Sequence, residues 1–170
     1  MTAPSFPGIM NMTPLRWPDS FVPPPPEPPP PEKRSWLRKL WDLFPLRLPT
    51  FYPGYATVVP YIEEQLLARG PSDPSRWGDD PLRVRIGQLA CKLIQKEYDW
   101  PSDHFLPDDP LDVVFHIPWD FRDWVEVAEE LSFELRIDGD DVMSMAIEAA
   151  TLGDMVDMLV AHVQRQSGKR

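Results

Sequence analysis

The sequence predicts an all-α protein, a bundle of three to four helices behind a disordered, proline-rich N-terminal arm. Three observations predict it. Apolar residues recur at three- and four-residue steps, most regularly at Leu82, Ile86, Leu89, Ala90, Leu93 and Ile94. Only Ser132 to Ile137 alternates with the two-residue period of a strand, and no second strand is available to pair with it, so it reads as an extended connector. Twelve of the first 31 residues are proline, which removes amide donors and blocks helix, so this arm is not expected to build a core.

Each element follows from its own signals. Residues Val59 to Arg69 read as a helix with Pro60 in its first turn, Ile62, Leu66 and Leu67 as apolar positions and Gly70 as terminator. A loop over 70–81 leads to the helix of Leu82 to about Glu97. Pro101 stops it, because the residue before a proline is driven out of helical geometry. A loop from Pro101 to Pro118 follows, with Phe105, Leu106 and Leu111 expected to fold inward. The next helix, about Trp119 to Leu131, places Phe121, Trp124, Val125, Ala128 and Leu131 on one face and acids on the others. Asp138-Gly-Asp-Asp opens a short helix over Val142 to Glu148. Thr151 and Asp154 have the capping spacing at the head of the last helix, which runs on through Leu152, Met155, Val156, Leu159 and Val163. The organisation is an arm over 1–54, an additional helix and loop over 55–80, a helical domain over 81–165 and a tail over 166–170.

In the arm, eight prolines fall between Pro23 and Pro31, interrupted only by Glu27, which is the composition of a polyproline II spacer that an aromatic groove could also bind. Behind it, Trp36, Leu37, Leu40, Trp41, Leu43 and Phe44 mix with Lys33, Arg34, Arg38 and Lys39 at roughly helical spacing. This short amphipathic segment is expected to pack on the acidic domain as a clasp or on a partner. Membrane contact through Trp36, Trp41 and Phe44 is a further reading.

The chain of 170 residues has a formal charge of −10, which disfavours nucleic acid and anionic membrane as partners of the folded part. From Asp99 to Val160 there are 17 acids against Arg122 and Arg136, a net −15. A hydrophobic fraction of 42% with seven tryptophans excludes a wholly disordered chain. The lone Cys91 forms no intramolecular disulfide and, amid apolar residues, reads as a buried structural thiol. The first residues lack the basic start and apolar run of a secretory signal, and no stretch is apolar enough to span a bilayer, so a cytoplasmic location is expected.

No phosphate loop, nucleophile elbow or serine–histidine pairing stands out. His104, His116 and His162 lack metal-ligand spacing. Asp108-Asp109 and Asp138-Gly-Asp-Asp141 suit turns and helix caps better than a calcium loop. The chain is therefore expected not to be an enzyme and to hold no metal.

One long helix, a loop containing Phe105-Leu-Pro-Asp-Asp-Pro-Leu111, an acidic helix, a short helix and a helix headed by Thr151-Leu-Gly-Asp154 follow one another in a recognisable order. Over about Leu82 to Gln164 this resembles the acyl carrier protein family, best at Asp123 to Leu135 and at Thr151 to Leu159. In that family a serine at the start of the second bundle helix accepts the phosphopantetheine arm. Here that position falls at Ile117 or at Phe121, depending on register, and neither has a hydroxyl. The resemblance thus implies a carrier fold without carrier chemistry and without a cofactor. It also implies that Asp120, Asp123, Glu126, Glu129 and Glu130 face a protein partner with a basic surface. The alternative is a working acyl or aminoacyl carrier with phosphopantetheine at an atypical serine, Ser102, Ser132 or Ser144.

Overall fold

The computed structural model describes residues 13–19, 55–71, 73–115 and 121–168, leaving aside the side chains of 55–57 and 121–123. The polyproline run, the basic segment with Trp36, Trp41 and Phe44, and Ile117, His116 and Asp120 lie outside the described residues, as do the side chains of Phe121 and Asp123.

Six α-helices and no strand occur among the described residues: α1 Tyr55–Leu67, α2 Pro81–Tyr98, α3 Leu111–Val114, α4 Phe121–Leu135, α5 Gly139–Glu148 and α6 Leu152–Ser167. A 3-10 turn, Pro74–Trp77, precedes α2. The all-α class holds, and none of these helices is long and apolar enough to cross a membrane.

Local chemistry sets the boundaries. In α2, Pro81 takes the first position, where a missing N–H costs nothing, and Asp80 accepts from Leu82 N at 2.9 Å. Asp138 does the same for α5 through Asp140 N. At α6 both halves of the capping box form: Thr151 Oγ1 accepts from Asp154 N and Asp154 Oδ2 accepts from Thr151 N.

The bundle packs α2 against α4 and α6, α4 against α5, and α5 against α6. From α4, Trp124, Val127, Ala128 and Leu131 enter the core at steps of three and four. The Phe115 ring packs tilted against Trp124 and Tyr98, at centroid distances of 4.3 Å and 5.8 Å, joining the end of α2 to α4. The 3-10 turn buries Trp77 over Gly87, where a Cβ would lie 2.3 Å from the indole ring, so only glycine fits.

Several sequence expectations are corrected. Helix α1 begins at Tyr55, placing Pro60 inside it rather than in its first turn; burial of Val58, Ile62 and Leu66 holds the element despite the hydrogen bond that proline forfeits. The loop over 70–81 contains the 3-10 turn, and the long loop after Pro101 contains α3. The extended connector does not exist as such. Residues Ser132 to Leu135 are the last turn of α4, and the chain leaves the helix through Arg136 at φ 57°. The two-residue alternation there is accidental, since Phe133 is 82% exposed while Ile137 is buried.

The largest correction concerns the arm. Within it, residues Thr13 to Asp19 lie on the domain, and Leu15 is 1% exposed in the common core. A single leucine between prolines has no periodicity to betray it, yet it contributes to the core that the arm was expected to lack.

Candidate functional site

Two places concentrate charge and polar geometry. The first is internal. Arg69, just past α1, and Asp109, in the loop before α3, are 4% and 0% exposed and form a two-pronged ion pair, each prong at 2.7 Å. Asp109 also accepts from Leu15 N and Leu106 N, both at 2.7 Å, so each carboxylate oxygen receives two hydrogen bonds. The guanidinium donates further to the carbonyls of Thr13 and His104. His104 Nδ1 donates to the Arg69 carbonyl at 3.0 Å, because a carbonyl can only accept. The Asp109 backbone completes the junction: its carbonyl accepts from Leu152 N at 2.9 Å, at the head of α6, beside the antiparallel bridge of Pro110 and Thr151. Full satisfaction is what makes a buried charge pair tolerable.

The second place is the outer face of α4. Glu126, Glu129, Glu130 and Phe133 recur at the same three- and four-residue steps as the buried stripe, displaced by two residues, hence about 200° around the helix. Glu129 and Glu130 are exposed, Glu126 is half-buried, and Phe133 projects from among them. A shallow concavity lined by Ser132, Phe133, Glu134 and Arg136 adjoins it. Glu130 meets Lys96 of α2 at 2.7 Å. Lys96 also pairs with Glu97 at 2.8 Å and holds the Glu97 carboxyl below the usual carboxylate range. The carboxylates of Glu130 and Glu97 in turn push the Lys96 ammonium above its ordinary value.

Of the five acids expected to face a partner, the structure therefore brings three, Glu126, Glu129 and Glu130, onto one face, with Glu130 already engaged in an exposed pair. Sequence reasoning missed Phe133 because it was assigned to the connector. Read as a continuation of the helix, its four-residue step from Glu129 would have placed it. The Arg69–Asp109 pair had no signal, since forty residues separate its members and Asp109 sits in a turn-forming Pro-Asp-Asp-Pro sequence.

The serines considered for an attached group differ in setting. Ser102 is buried, Ser132 Oγ donates to the Glu129 carbonyl at 2.7 Å, and Ser144 is exposed within α5. Among the described residues no group of three or more His, Cys, Asp or Glu side chains is placed to hold a metal. Asp138 caps α5, and His162 lies 3.5 Å from Asp141. Burial pushes the Cys91 thiol far above its ordinary pKa, with the nearby negative charges of Asp103 and Asp109 adding to the effect. A thiol so held is not a nucleophile.

No protein-family model, curated protein or solved structure matches this chain.

Proposed function

We propose that this is a non-catalytic, acyl-carrier-like interaction module that presents the outer face of α4 to a protein partner with a basic surface. The observation behind this reading is the stripe of Glu126, Glu129, Glu130 and Phe133, an exposed aromatic set among carboxylates on a helix whose opposite face is fully committed to the core. Such a face suits a partner offering lysine or arginine around an apolar recess. Burying one phenylalanine supplies about 1.5–3 kcal/mol, while the charges steer encounter and orientation. Exchange of Lys96 for a partner's cation at Glu130 costs little, because exposed ion pairs contribute about 0–1 kcal/mol.

The carrier-like part of the reading is supported by the order of α2, a long loop, α4, short α5 and capped α6. The family's serine position, at Ile117 or Phe121, offers no oxygen for phosphoryl attachment, so no cofactor is assigned. Peptide mass spectrometry of the protein purified from its own host tests this part. Peptides covering Leu82 to Gln164 are expected at their unmodified masses. A gain of one phosphopantetheine arm would establish a working carrier instead.

A further inference from the structure

We propose that α1 and the loop before α3 form a docking groove for an extended peptide, filled within one chain by its own Thr13–Asp19 segment and open to the same segment of a second copy. The contacts are those of peptide recognition rather than of secondary structure. Side chains of the domain read main-chain groups of Thr13, Leu15 and Arg16 in a segment without helix or strand. Arg69 donates to the Thr13 carbonyl, and Asp109 accepts from Leu15 N. Gln65 clasps Arg16 from both sides, its Oε1 accepting from Arg16 N at 3.2 Å and its Nε2 donating to the Arg16 carbonyl at 3.0 Å.

Two side chains give the groove selectivity. Leu15 is buried in the core, and Trp17 packs half-buried while its Nε1 donates to Asp112 Oδ2 at 2.8 Å. The ligand class is therefore an extended segment with an apolar residue two positions before a tryptophan. Four main-chain groups are paired without a sheet, which is the task side chains perform when a strand edge is absent.

The second copy is the occupant because its segment is identical, and the connection permits it. Thirty-five residues, 20–54, separate the docked segment from α1. At full extension they reach about 120 Å, far more than one domain's width. Exchange of an identical element between protomers needs no new contacts.

The test uses the full chain with one specific protease site inserted between Pro31 and Glu32, cleaved and kept at neutral pH. The expected result is that the released 1–31 fragment co-elutes with the domain. A labelled Thr13–Asp19 peptide, standing for a second copy's segment, should replace it at unchanged helical circular dichroism, and the Leu15→Asp peptide should not. The uncleaved chain should take the peptide about 100-fold more weakly, since its own segment competes at high effective concentration. Two results overturn the proposal. The fragment could leave a folded domain that then fails to bind peptide, or it could resist excess peptide until the helices melt, which would make it an inseparable part of the core.

Discussion

Replacing Asp109 with alanine strips the Arg69 guanidinium, 4% exposed, of its counter-ion and leaves the Leu15 and Leu106 amides without their acceptor. Breaking a buried ion pair from one side costs about 3–5 kcal/mol. Each amide left unpaired in a buried setting would add about 1–3 kcal/mol alone, but the four hydrogen bonds share one carboxylate, so the costs overlap. A loss of at least about 4 kcal/mol is expected, a large share of the roughly 5–15 kcal/mol that holds a domain folded. At about 4 °C per kcal/mol for a domain near this size, the melting temperature should drop by about 15 °C. Urea unfolding followed by helical circular dichroism measures the free-energy loss, and a thermal scan measures the drop in melting temperature. The Arg69→Met, Asp109→Leu double variant should be more stable than Asp109→Leu alone, because no unpaired charge remains buried. An Asp109→Ala loss below about 1 kcal/mol, the range of an exposed pair, would mean that the Arg69–Asp109 pair does not hold the fold.

Three further outcomes follow from the geometry. Gly87→Ala drives a methyl to 2.3 Å from the Trp77 ring and should destabilise by about 1–3 kcal/mol in urea titration, the usual cost of overpacking. Arg136→Gly relieves a side chain held at φ 57°, where the left-handed backbone costs residues with a Cβ about 1–2 kcal/mol; part of that gain is spent on the freer unfolded chain, so the urea midpoint should rise slightly. The Lys96 ammonium, paired with Glu97 at 2.8 Å, lowers the Glu97 pKa on folding. Its contribution is thus present above the ordinary carboxylate range and lost as pH falls through the depressed folded value. Lys96→Met should flatten the fall in urea midpoint on acidification, and an unchanged acid slope would contradict the assignment.

How far the sequence disclosed this structure depends on whether a residue's role was local. The capping box of Thr151 and Asp154 and the buried face of α2 were legible, because a capping box spans four residues and a helical face needs two turns. The end of α4 was misread for an equally local reason. Phe133, Leu135 and Ile137 imitate a strand's alternation, whereas the decisive facts are Leu135 half-buried one turn beyond Leu131 and Arg136 in the left-handed region. Leu15 and the Arg69–Asp109 pair were illegible. Their partners are 94 and 40 residues away, and neither periodicity nor turn chemistry encodes such distances. The outer face of α4 fell between these cases: its acids were visible, but the aromatic at its centre appeared only when the helix proved to be one turn longer.

Whether the outer face of α4 holds a partner is read by parallel affinity capture from host extract, with the intact chain and its Phe133→Ala variant as baits. Phe133 is 82% exposed, so the substitution should change stability by no more than about 0.5 kcal/mol, and both baits enter the experiment equally folded. The expected result is a protein of basic surface that the intact chain retains, that the variant loses, and that leaves as salt is raised past the range where charges act over about 8 Å. Retention of the same proteins by both baits, or of none that salt releases, would show that this face holds no such partner.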